Sequence, residues 1–437
     1  MSLRAGAIFR SSWVPSFTKR DDCIEISIDN HFQSKVYTSG SVISGCVTIS
    51  PQRPLAFESV EITFNGMATT QIAMIHRDAP SSHTFLQLNA ALDENALPDV
   101  RIFGPGEQYN LPFAFLIPHR LPSASCKYHP DTVVHERHTH LPPTVSSGEH
   151  PDAPYIAQVE YLVTARIITK PQKNGKPKPL EKVHPIRILP LIPEQQLHVN
   201  PNNATYHLIQ EREISRDLLS HQIGHLIATL TRIDPIILSV DTFETSGSSV
   251  TVNLEFDPTS SEVIPPNIRA KSAHVEVVTH YSLGHIGYLP DQESRPAGTV
   301  MNSPVLRYFD SNEWVIKDPG ESKWDHASDQ YQNSRGRDTV TNGSARRQAT
   351  LTVQLEPPAE RKLLVPTFHS CRISRAYTLR LVLDAVGFRA ALALVVPLQV
   401  IAQSSGPSAS ELPDYVSKIE SICDNTEAKF PRGRLTW

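Results

Sequence analysis

Residues 103–122 read FGPGEQYNLPFAFLIPHRLP, and the spacing of side chains within them decides the fold class. Gly104-Pro105-Gly106 punctuates the chain, because glycine reaches positive φ while proline fixes φ and donates no backbone hydrogen bond. Tyr109, Leu111, Phe113, Phe115 and Ile117 then recur at every second position. Extended backbone sends alternate side chains to opposite faces, so this spacing predicts a strand with one buried face. Pro118 and Pro122 cannot extend a hydrogen-bonded ladder and mark its end. Pro112, inside the run, predicts an edge strand or a bulge.

The same period recurs on both sides of this segment. Ile24, Ile26 and Ile28 alternate, as do Val60, Ile62 and Phe64, and His83 to Leu88 reads as a further short strand. Val159, Tyr161, Val163, Ala165 and Ile167 form a longer alternating run after Pro154. Val183, Ile186 and Ile188 follow, and Pro190 and Pro193 close that half. In the second half, Leu226 to Leu230, Ile236 to Phe243, Val250 to Phe256 and Ala273 to Tyr281 read as strands. So do Thr350 to Leu355, Tyr377 to Leu383 and Leu392 to Ile401. Many short strands with turn residues between them predict β-sandwich architecture. Two segments depart from the pattern. Gln210 to Leu219 mixes charged and apolar residues at roughly helical spacing and predicts a short helix. Asp318 to Arg347 is polar and almost devoid of aliphatic side chains. It cannot bury enough apolar surface to offset the entropy of ordering, and it is expected as a long mobile insertion.

Composition bounds the class. The 437 residues suit two or three domains, and the 36 prolines suit short strands and stiff loops. A net charge of −4 provides no global field to recruit nucleic acid. The five cysteines, Cys23, Cys46, Cys126, Cys371 and Cys423, are odd in number and widely spaced, which fits a reducing compartment rather than a disulfide framework. The opening residues MSLRAGAIFRSSWVPSF lack the apolar stretch of a secretory signal. No run reaches the ~18 apolar residues that a membrane-spanning helix requires.

The flanks of the central segment carry a resemblance. Upstream is Tyr37-x2-Gly40-x-Val42-x2-Gly45-x-Val47-x-Ile49, a turn glycine followed by a strand. Downstream come His140-Leu141-Pro142-Pro143, Pro154 and the run from Val159 to Ile167. In this order and spacing the set resembles the N-terminal domain of arrestin-like proteins, most closely the α-arrestin-related proteins of fungi. The resemblance covers residues 22–193 well and the second half more loosely. There, Val365-Pro366-Thr367-Phe368 and the run from Tyr377 to Leu383 are similar to the end of an arrestin C-terminal domain. The resemblance implies an all-β chain of two tandem immunoglobulin-like β-sandwich domains. These are residues 22–193 and 223–403, joined by a linker at 194–222. A disordered lead (1–21), the mobile insertion (318–347) and a disordered tail (404–437) complete the expectation.

Three constellations bear on function. Leu412-Pro413-Asp414-Tyr415 in the tail is a Leu-Pro-x-Tyr form of the PY motif that WW domains bind. Proline favours the extended polyproline conformation before binding, so less entropy is lost in the groove, and the tyrosine ring fills a second pocket. In α-arrestins such motifs recruit HECT-class ubiquitin ligases, and Lys418 and Lys429 just beyond are candidate ubiquitin acceptors. The alternative readings are a chance four-residue match and ordinary solvated lysines. Lys170, Lys173, Lys176, Lys178 and Lys182 form a basic hairpin loop. Such a cluster suits an acidic partner or an anionic membrane surface, against the plainer reading of a solvated hairpin tip. Finally, Cys126, His129, His135, His138 and His140 lie within fifteen residues, which raises the possibility of zinc. No Cys-x2-Cys pair and no second Cys-His pair at finger spacing accompanies them, so loop histidines are the reading and no metal or cofactor is expected.

Catalytic signatures are missing from the sequence: there is no Gly-x-Ser-x-Gly elbow, Walker loop, Gly-x-Gly-x-x-Gly or His-Glu-x-x-His. With no such signature, the resemblance implies a non-enzymatic adaptor, cytoplasmic and peripheral at the plasma membrane or endosomes. It would link cytoplasmic regions of membrane proteins, transporters or receptors, to a WW-domain HECT-class ubiquitin ligase for endocytosis and sorting. The competing expectations are an arrestin-fold trafficking or signalling scaffold without ligase recruitment, an enzyme built on a β-sandwich, and a nuclear or stress-signalling role through pH sensing.

Overall fold

The computed structural model describes residues 23–73, 78–127, 132–146, 156–170, 179–191, 206–215, 221–242, 244–290, 304–326, 346–358 and 364–404. The expected lead at 1–21 and the tail beyond Ser404 lie outside these residues.

The first half is built from β1 (Ile24–Ile28), β2 (Val36–Tyr37), β3 (Val42–Ile49), β4 (Leu55–Ala73), β5 (Asp78–Asn89), β6 (Ile102–Phe103), β7 (Tyr109–Leu116), β8 (Ala157–Thr169) and β9 (Pro179–Ile188). The short helix α1 (Val133–His138) lies between β7 and β8. One antiparallel sheet has the order β1-β3-β7, and a mixed sheet, with β2 parallel to β9, has the order β2-β9-β8-β4-β5, with β6 on β4. β7 is an edge strand in which Pro112 faces Cys46, so the missing amide of proline interrupts no interior ladder.

Alternation supplies the packing. Val47, Leu111, Phe113 and Phe115 from the first sheet and Ile62, Phe64, Tyr161 and Val163 from the second bury in one cluster. The Phe64 ring lies 5.8 Å from Phe115 and 5.9 Å from Tyr161. Each such side chain contributes roughly 1.5–3 kcal/mol on burial. A one-residue slip of β7 turns its three buried residues, Leu111, Phe113 and Phe115, to solvent, so the side chains hold the register. The Tyr161 hydroxyl donates to the Pro142 carbonyl at 2.6 Å and pins the proline-rich segment against the sheet.

The second half contains β10 (Ile209–Ser215), β11 (Gln222–Ile233), β12 (Ile236–Ser239), β13 (Ser248–Pro258), β14 (Ile268–Tyr281), β15 (Leu306–Asp318), β16 (Lys323–His326), β17 (Arg347–Glu356), β18 (Phe368–His369), β19 (Ile373–Ala385), β20 (Ala391–Leu398) and β21 (Val400–Gln403). Ten of these form one sheet with the path β10-β11-β13-β17-β15-β14-β19-β18, β16 pairing with β17 and β20 with β19. β15 is shared: residues 306–314 pair with β14, and residues 315–318 with β17. Val250, Val252, Leu254, Leu351 and Val353 thereby bury in the same cluster as Val275, Leu379, Leu381, Leu394 and Val396. β12 and β21 pair in parallel, and Leu238 and Ala402 pack with Leu189 from the end of the first half.

Three expectations change. The predicted helix at 210–219 is instead β10 over its described part, paired antiparallel with β11. Pairing with β11 satisfies the backbone groups on one side, and only Ile214 needs a buried position. The predicted insertion at 318–347 begins with ordered structure. Trp324 of β16 donates its indole N–H to the Pro266 carbonyl at 2.9 Å and packs beside Phe256. Its remainder, 327–345, lies outside the described residues. The strand predicted from Ile236 to Phe243 ends at Ser239.

The two cores are not sealed from one another. Tyr281, Val365, Phe368 and Ile373, from the second half, bury in the first cluster. Next to them, Arg375 is 0% exposed. Its Nε donates to the Tyr377 hydroxyl at 3.1 Å and its Nη1 to Thr279 at 3.0 Å.

Candidate functional site

Of the sequence-predicted site residues, Leu412, Pro413, Tyr415, Lys418, Lys429, Lys173, Lys176 and Lys178 lie outside the described residues. Lys170 is exposed immediately after β8. Lys182 is not in a loop: β9 starts at Pro179, and Lys182 faces Ala165 across the ladder. The ladder runs on to Ile168 and Pro179, and beside Lys182 the Glu181 carboxylate accepts two hydrogen bonds from the Arg166 guanidinium, at 2.9 and 2.8 Å.

The structure draws together a different group. Cys126 follows a 3-10 turn at Ser123–Ser125, whose Ser125 hydroxyl donates to the Phe85 carbonyl at 3.0 Å and anchors the turn on β5. His138 ends α1, which Thr132 caps by accepting a hydrogen bond from the His135 amide at 3.1 Å. Cys371 sits in the turn between β18 and β19, where Ser370 donates to the Ile373 carbonyl at 2.7 Å. All three are buried, and their ligand atoms lie within 4.8 Å of one another. His138 Nδ1 is 3.7 Å from Cys126 Sγ and 3.6 Å from Cys371 Sγ. The Cys371 thiol also faces the Ser125 carbonyl at 3.7 Å.

Neighbouring contacts fix the second-half turn against the first half. The Arg372 Nη1 donates to the Ser81 hydroxyl at 3.0 Å, and the Thr70 hydroxyl donates to the Ser282 carbonyl at 3.1 Å. The His83 and His285 rings meet edge-on at 5.5 Å. A small cavity of about 10 Å³, lined by His138, Cys371, Ser125 and Ser370 among others, adjoins the cluster.

Electrostatics separate what this group can do from what it cannot. Burial, reinforced by nearby histidines, lowers the pKa of His138 to about 3, so its imidazole is neutral at physiological pH. Burial and the adjacent Cys126 push the Cys371 thiol up to about 12. Burial thus favours the protonated, less nucleophilic form of the Cys371 thiol. Neutral imidazole with two sulfurs is instead a donor set for a thiophilic metal ion.

The sequence placed Cys126 and His138 in a histidine-rich cluster but carried no sign of Cys371, which arrives from strands far downstream. His135 turns away from the cluster, its Nε2 meeting the Ser123 hydroxyl and carbonyl at 3.2 Å each. His140 stands at an isolated bridge with Arg120, and His129 lies outside the described residues.

A second concavity, of about 550 Å³, opens on the first half. Its lining includes His31, Lys35, Glu160, Leu162, His184 and Arg187. Burial raises the pKa of Glu160. Among the described residues no helix is long and apolar enough to cross a membrane. No protein-family model matches the chain, and no curated protein matches it.

Proposed function

We propose that this chain is a non-enzymatic, arrestin-like adaptor. Two tandem immunoglobulin-like β-sandwich domains, 22–193 and 223–403, recognise cytoplasmic regions of transporters or receptors. Leu412-Pro413-Asp414-Tyr415 brings a WW-domain HECT-class ubiquitin ligase to them, and ubiquitination directs endocytosis and sorting. The observation that carries the fold half of the reading is the sequence of two cores along the chain. A three-stranded and a six-stranded sheet share the first, and a ten-stranded antiparallel sheet follows around the second. Fold alone does not fix function, so the partner half rests on the peptide motif and its chemistry.

Replacing Tyr415 with alanine removes the ring that fills the second WW pocket. The expected outcome is loss of capture by WW domains and of cargo ubiquitination. Undiminished capture removes the ligase from the reading. Lost capture with normal cargo sorting favours a trafficking scaffold that works without a ligase.

A further inference from the structure

We propose that Cys126, His138 and Cys371 form a binding site for one thiophilic d10 metal ion, Zn²⁺, that fastens the two halves of the chain together. The site goes beyond the adaptor reading and does not depend on it.

The geometry carries the proposal. With Zn–S near ~2.3 Å and Zn–N near ~2.0–2.1 Å, a tetrahedral ion sets its sulfur and nitrogen donors about 3.6 Å apart. Trigonal coordination with the same bond lengths gives about 3.8 Å. The two observed separations, 3.6 and 3.7 Å, fall in this interval for both cysteines at once. Two edges of a coordination polyhedron, from His138 to each cysteine, are therefore already in place, and the two sulfurs lie within 4.8 Å of each other, although 233 residues separate His138 from Cys371.

The surroundings agree. All three donors are buried, so an ion here is shielded from exchange with bulk water. Three protein donors leave a fourth position, and the adjoining cavity of about 10 Å³ has room for roughly one water. Two sulfurs and an imidazole select a borderline or soft ion over Mg²⁺ or Ca²⁺, which take oxygen ligands. Binding exchanges the two thiol protons for the metal: Cys126 and Cys371 become thiolates, two protons go to solvent, and no electron moves.

The ion would act as a clip. Cys126 and His138 belong to the segment between β7 and β8, whereas Cys371 belongs to the β18–β19 turn. Coordination adds bonds between these segments that the unfolded chain lacks, so metal stabilises the folded state.

The test uses the full chain, purified under reducing conditions without chelator or an affinity tag that binds metal. The expected result is about one equivalent of zinc per chain, and an unfolding midpoint that falls on chelation and recovers with Zn²⁺ alone. Cys371→Ser and Cys126→Ser should each abolish stoichiometric retention, whereas Cys46→Ser, on β3, should keep it. Substitution with Co²⁺ should give thiolate-to-metal charge-transfer absorption. That spectrum, read on the unsubstituted chain, decides the matter even where the serine variants fail to fold. The proposal is overturned by a metal-free chain whose midpoint ignores added Zn²⁺. It is equally overturned by zinc retained in Cys371→Ser, by a Co²⁺ form without charge-transfer bands, or by a Cys126–Cys371 disulfide in unreduced peptide maps.

Discussion

Single side chains in this protein carry separable tasks. Tyr161 is a core ring and a clamp at once, its hydroxyl holding the Pro142 carbonyl inside the protein. Tyr161→Phe keeps the ring and leaves that carbonyl without its donor. A loss of about 1–3 kcal/mol is expected, read as a lower denaturant midpoint at unchanged slope. Phe64→Ala, at a position with 0% exposure, should cost about 3–5 kcal/mol in the same assay. His31 and His184, 4.9 Å apart in the large cleft, give a pH prediction. Burial lowers both pKa values from 6.5, with Lys35 adding to the effect on His31 and His31 to that on His184. The unfolded chain therefore takes up protons first as pH falls. Folded stability from this pair is complete above 6.5 and declines as pH drops through the folded midpoints. Imidazole NMR titrations should show both midpoints below 6.5, Lys35→Ala raising that of His31 and His31→Gln raising that of His184. Midpoints at or above the ordinary value contradict the assignment.

At the scale of strands, legibility followed burial on one face. β7 and β13 alternate cleanly in sequence and in exposure, and β8 does so up to the buried run Val163–Ala165, so their period could be read directly. β15 could not: of its thirteen residues only Trp314 is buried, so no apolar period marks it. β10 failed for the same reason, with Ile214 its one buried residue, and its charges invited a helical reading. The Cys371 donor was invisible because contact through a folded turn leaves no trace in local spacing. Close strand approach also leaves a mutational signature. A Cβ placed on Gly45 meets the Ser27 carbonyl oxygen at 2.1 Å and the Phe113 ring at 2.9 Å. Gly45→Ala must push β1 away from β3, at a cost of about 1–3 kcal/mol. Amide exchange should quicken first in residues 24–28, and unchanged protection there refutes the close-approach argument.

Across the whole molecule, the placing of Tyr281, Val365, Phe368 and Ile373 in the first core couples the halves. Phe368→Ala should cost about 3–5 kcal/mol. It should also quicken amide exchange in β3 and β7 as well as in β19. Exchange that changes only in β19 refutes the coupling. A single calorimetric unfolding transition is the matching expectation for the unsubstituted chain, since side chains of the second half complete the first core.

The same borrowing has a consequence during synthesis. β9 ends at Ile188, yet Ile373 leaves the ribosome about 185 residues later. At ~5–20 residues per second, that delay is roughly 10–40 s. Throughout it, the nascent first half displays the apolar surface that its late partners will cover, a surface suited to a chaperone's grip.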